Sequence, residues 1–123
     1  MPNIRLNLTQ KITADQKQAL AKELGEAVLL IPHKKLLILM IEDGKTVYIG
    51  GKEVDDYVLV ELDVCGRFGI DIKSTFAKAA FAAITRILAT PPDKLAMTIV
   101  QHDGWGNFGD FVDTDEFGDP IFR

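Results

Sequence analysis

Met1-Pro2-Asn3-Ile4-Arg5-Leu6-Asn7-Leu8 opens the chain, and its alternation decides how the rest is read. Ile4, Leu6 and Leu8 recur at every second position with Asn3, Arg5 and Asn7 between them, the period of a strand with one buried and one wet face. A proline after the initiator lets the methionine be trimmed, and trimming leaves a secondary amine at the head of that strand. An unperturbed α-amino group titrates at about 7.7–8.0, and partial burial or a nearby cation moves it towards neutral pH. Pro2 is therefore a candidate general base, set against the plainer reading that many chains begin Met-Pro with no chemistry attached.

Working outward, Thr13 and Gln16 have the spacing of a capping box, with Asp15 favoured by the helix dipole. Leu20, Leu24, Ala27/Val28 and Ile31 follow on one helical face, and Pro32 stops the helix. The run Leu36–Ile41 is apolar at both parities, which predicts a central strand covered on both sides. Glu42-Asp43-Gly44-Lys45 reads as a turn, Thr46–Ile49 as a short strand leading into Gly50-Gly51, and Lys52–Asp56 as polar loop. Tyr57–Val64 alternates again, Cys65-Gly66-Arg67-Phe68-Gly69 breaks it, and a second helix starts near Asp71 and Ser74. Phe76, Ala80, Ala83 and Ile87 form its apolar stripe, flanked by Phe81, Ile84 and Leu88. Thr90-Pro91-Pro92-Asp93 ends it before a third strand-like run, Leu95–Val100.

The order strand, helix, strand over 3–42 returns over 57–101, an internal duplication of a β-α-β unit. Joining two such units predicts an α+β fold: a four-stranded mixed sheet with both helices on one face. The other face is left uncovered, and the apolar parity of 36–41 there points to oligomerisation, with the Phe-rich tail and the 46–49 strand available to pair with neighbouring sheet edges. The length of 123 residues suits a single domain, and 47% hydrophobic with 26% charged residues is a globular balance. A net charge of −4 offers no basic footprint for nucleic acid, and no apolar run approaches membrane-spanning length, so a cytoplasmic protein is expected. One cysteine excludes an internal disulfide, and two histidines with that cysteine have no metal-ligand spacing.

The Met-Pro start, the two β-α-β repeats, the glycine-rich break after the third main strand, the Pro91-Pro92-Asp93 turn and the Trp105-Gly106-Asn107 segment together resemble the macrophage migration inhibitory factor (MIF) branch of the tautomerase superfamily. The resemblance spans 1–113 as a single tautomerase-like domain and leaves 114–123 as an acidic C-terminal extension. It implies a homotrimer with sites at subunit interfaces around each N-terminal proline, no cofactor and no metal. The implied reaction is keto–enol interconversion of small 2-oxo acids such as phenylpyruvate.

Carried over residue by residue, Pro2 matches the base. Proton abstraction beside a carbonyl builds negative charge on oxygen, which needs donors or a cation nearby. The family's lysine falls on Ile31 in one alignment and on Lys34 in the other, and Lys34 with Lys35 also reads as a solvated loop pair. The backbone N–H before Gly66 belongs to Cys65, whose thiol reads as a packing group. Ala96 and Thr98 replace a tyrosine and an asparagine at the pocket, leaving Thr98 as the polar contact. Trp105 offers a replacement wall, unless it packs at the trimer interface, and Asn107 is the matching amide. Arg67 suits a carboxylate or the surface. A trimeric binding or scaffold protein of the same fold, without catalysis, is the alternative; dehalogenation or decarboxylation would need more arginine and acid groups near the proline.

Overall fold

Strand β1, Asn3–Leu8, buries Ile4 and Leu6 completely and Leu8 almost so, as its alternation requires. The computed structural model describes residues 1–113; the expected acidic extension, 114–123, lies outside the described residues. Helix α1, Ala14–Ala27, starts on the capping box: Gln16 N–H donates to Thr13 Oγ1 at 3.1 Å and Thr13 N–H to Gln16 Oε1 at 2.9 Å. Two orphan donors are thus satisfied at once. The α-helix ends at Ala27, earlier than the periodicity implies, and Val28–Leu30 tighten into a 3-10 turn. Pro32 is the cause, because it holds the preceding Ile31 in an extended conformation, φ −90° and ψ 121°.

Strand β2, Ile38–Glu42, runs parallel to β1 with Asn3 opposite Ile38. It is an edge strand, which corrects the expectation of a central one. Leu39 and Ile41 pack against the core, while Ile38 and Met40 remain 40% and 41% exposed on the open face. The apolar character of both parities reflects an edge with an uncovered side. A second correction concerns 52–56. Strand β3, Val47–Ile49, and strand β4, Lys52–Val54, close a hairpin in which Ile49 faces Lys52. Gly50 and Gly51, with φ of 59° and 80°, supply the two left-handed residues such a tight turn demands.

Strand β5, Val58–Cys65, buries Val58, Val60, Leu62 and Val64. It pairs antiparallel with β1, Asn3 opposite Asp63 and Leu8 opposite Val58. Helix α2, Ile70–Leu88, buries Phe76, Ala80, Ala83, Ile84 and Leu88 and ends on Ala89 in the left-handed region. Strand β6, Leu95–His102, returns parallel to β5, which completes a four-stranded mixed sheet in the order β2-β1-β5-β6. Strands β7, Gly104–Asn107, and β8, Asp110–Asp113, form a second hairpin. The buried side chains of both helices and the inward parity of β1 and β5 form one core on one face of the sheet. The opposite parity, Asn3, Arg5 and Asn7 on β1 with Leu59, Glu61 and Asp63 on β5, occupies the other face. No helix among the described residues is long and apolar enough to cross a membrane.

Candidate active site

Antiparallel pairing brings the start of β1 to the end of β5. With Asn3 opposite Asp63, the two preceding residues, Met1 and Pro2, lie alongside Val64 and Cys65. Pro2 is buried, and its carbonyl accepts a 2.9 Å hydrogen bond from the Ile38 N–H, so the head of the chain is already tied into the sheet on the β2 side. Lys34 reaches the same place from the loop between α1 and β2. Its backbone N–H donates to the Ile31 carbonyl at 3.2 Å, the residue is 8% exposed, and its ammonium lies 5.9 Å from the centre of the Phe68 ring. A cation over an aromatic face is attracted by the ring quadrupole.

Three titratable groups interact here. Burial, then the positive charge of Lys34, lower the pKa of the N-terminal amine, against an opposing influence of Cys65. Burial also lowers that of Lys34, again opposed by Cys65. Burial raises the pKa of the Cys65 thiol; Lys34 and the amine pull it down, while Asp103 and Asp113 push it further up. The outcome is an amine deprotonated more readily than usual beside a confined cation and a protonated thiol, an arrangement suited to accepting a proton near an oxygen that gains charge.

Next to this cluster, His102 ends β6 opposite Cys65, and the Gly66 N–H donates to its carbonyl at 3.0 Å. The His102 Nε2 lies 2.6 Å from Asp63 Oδ1, and the imidazole packs on Trp105 with ring centres 5.6 Å apart at 58°. Trp105 and Asn107, on β7, line a cavity of about 270 Å³ whose other walls include Asn3 and Ile38. Trp105 Nε1 and Asn3 Oδ1 are both buried without a hydrogen-bond partner among the described residues.

Of the residues singled out in the sequence, Pro2, Lys34 and Cys65 share one end of the sheet, with Trp105 and Asn107 beside it on the second hairpin. Thr98 does not join them within the subunit: it is exposed on the open face opposite Glu61, four residues before His102 along β6. Ile31 is a core residue. Arg67 pairs with Asp103 at 3.0 Å, both well exposed. Phe68, Asp63 and His102 escaped the sequence reading. Asp63 shares the parity of Cys65, which was a usable signal, but the partnership with His102 depends on a register between strands that no local pattern carries. Among the described residues there is no group of three or more side chains placed to hold a metal ion.

No family model matches the chain, and no curated protein matches it in sequence. Solved structures do match in shape. MIF2 of Leishmania major superposes with a TM-score of 0.82 at 14% identity, over 90% of this chain and 97% of that one. N1, a member of the cis-3-chloroacrylic acid dehalogenase family, gives 0.81 at 13%, covering 94% and 88%. A fused 4-OT, a wild-type symmetric trimer, gives 0.77 at 18%, covering 94% and 98%. Two β-α-β units, a mixed four-stranded sheet with both helices on one face, and these matches over nearly the whole described chain lead to one conclusion: the protein has the MIF-like fold.

Proposed function

We propose that this protein is a cofactor-free keto–enol tautomerase of small 2-oxo acids such as phenylpyruvate, acting in the cytoplasm as a homotrimer. Pro2, freed by loss of Met1, is the general base. The observation that carries this reading is the meeting of the chain's amine with Lys34 and Cys65, where burial and the lysine charge lower the amine's basicity. Removal of Met1 moves the amine onto Pro2, which is more buried than Met1, so the same two causes still act on it. A neutral secondary amine then takes a proton from the carbon beside the carbonyl. Lys34 and the Cys65 N–H receive the substrate carboxylate and the charge that develops on oxygen, and Trp105 and Asn107 enclose the remainder. Thr98 enters from a neighbouring subunit, since it lies away from Pro2 within its own.

Support for the trimer comes from the exposed apolar side chains of the β2 edge, Ile38 and Met40, and from the trimeric fused 4-OT that shares the fold. The test is a phenylpyruvate enol–keto assay on processed protein beside Pro2→Gly, with intact mass recorded for both. Loss of methionine with at least about a hundredfold drop in Pro2→Gly is expected, within the range for a general base. Retained methionine in active protein, or equal rates for the two proteins above a buffer blank, overturns the reading.

A further inference from the structure

We propose that His102, held by Asp63, is the acid that delivers a proton to the substrate oxygen; this rests on the tautomerase reading and assigns its second proton-transfer group. Four observations converge. His102 stands opposite Cys65 in the β5–β6 register, so it flanks the strand end where the amine and Lys34 meet. Asp63, its partner at 2.6 Å, faces Asn3, the residue that follows Pro2. The imidazole is 38% exposed within the single subunit, on the side of the sheet left free by the helices. Its ring also packs on Trp105, which lines the cavity beside Asn3. Lys34 lies over the Phe68 ring, and in the proposed function it already receives the substrate carboxylate, so His102 is the further group at this strand end that can deliver a proton to oxygen.

Tautomerisation moves one proton from carbon to oxygen, so a base alone does not complete it. The Pro2 nitrogen takes the C–H proton, the C–H electron pair becomes the new C=C bond, and the carbonyl π pair moves onto oxygen. With Nε2 engaged by Asp63, Nδ1 is the ring nitrogen left for the substrate. In the imidazolium both nitrogens donate, and the Nδ1–H proton passes to the oxygen to give the enol. Pro2 then releases its proton to water and His102 takes one up, which restores the enzyme. In the reverse direction the same two groups exchange roles. Asp63 acts through His102 and is a positioning residue.

The test compares wild type, Pro2→Gly, His102→Gly, His102→Gln and Asp63→Asn in the phenylpyruvate assay on the full processed protein. His102→Gly is expected to lose about a hundredfold in kcat, as general acids contribute, with KM changed less than about threefold. Free imidazole should restore His102→Gly in proportion to the acidity of the imidazolium added, a response that a merely structural histidine would not give. His102→Gln should lose as much without rescue, and Asp63→Asn about tenfold. Wild-type kcat in either His102 variant overturns the proposal while leaving Pro2 intact. So does loss without imidazole rescue in a His102→Gly protein whose circular dichroism and oligomeric state match wild type. Should His102→Gly fail to fold, the His102→Gln rate decides. No rate difference between wild type and Pro2→Gly overturns the underlying reading instead, and this proposal with it.

Discussion

The two β-α-β halves share a pattern and differ in what they do with it. In both, one parity of the first strand faces the helices: Ile4, Leu6 and Leu8 on β1, and Val58, Val60, Leu62 and Val64 on β5. The second half is the stronger scaffold. Its helix has 19 residues against 14, and its parallel strand pair is eight residues long on each side, whereas β1 has six and β2 five. The first half contributes its beginning to the site and the second half its ends, because β1 and β5 are antiparallel and the start of one meets the finish of the other. A duplicated unit thus yields an asymmetric cluster at this candidate site: amine and lysine from one copy, thiol, histidine and aspartate from the other.

Truncating the core is the largest blow to this comparison. Phe76→Ala, in a fully buried position of α2, should cost about 4 kcal/mol in urea unfolding, and Leu24→Ala, also fully buried in α1, about 3 kcal/mol. Equal losses would show that the second half is no more important to stability than the first. Lys34→Met should separate function from stability, dropping turnover at least about tenfold while stabilising the fold, since it removes a partly desolvated charge. The sign follows from the lowered pKa of Lys34: the native chain binds this proton less tightly than the unfolded one. The position therefore costs stability while the unfolded lysine is protonated, and the cost disappears as the pH rises from the native towards the unfolded pKa. Thermal melts across the alkaline range should show that rise in wild type and not in Lys34→Met.

The helix starts differ as well. Thr13→Ala removes the side-chain half of the capping box and should cost about 1 kcal/mol. Gly69, at the start of α2, makes no side-chain cap bond, and a β-carbon added there would meet nothing within 4 Å, so Gly69→Ser should gain roughly a few tenths of a kcal/mol. The smallest effect belongs to the ion pair that joins the two helices, Glu23 with Arg86. Its arginine is 60% exposed, so a double-mutant cycle should return no more than about 0.5 kcal/mol.

Much of this architecture is legible in particular residues. The alternation at 3–8 and 57–64, the Thr13 and Gln16 cap and the Phe76, Ala80 and Ala83 stripe each record a local periodicity that the folded chain keeps. The errors fall where local pattern and partner choice part company. The run 36–41 is apolar at both parities, which describes a covered central strand and an edge strand with an uncovered apolar side equally well. Residues 52–56 carry no strand pattern of their own, and β4 forms there because the two glycines before it return the chain onto β3.

The sequence by itself determined which residues face inward, where the helices begin, and that two like units are joined, because those properties repeat every two or 3.6 residues and each strand or helix carries its own copy. Only the tertiary structure decided that Pro2, Lys34 and Cys65 meet at one sheet end and that His102 is held by Asp63. Strand order and register arise from pairing between distant segments, 39 residues apart for the histidine and its aspartate, and no local period encodes them.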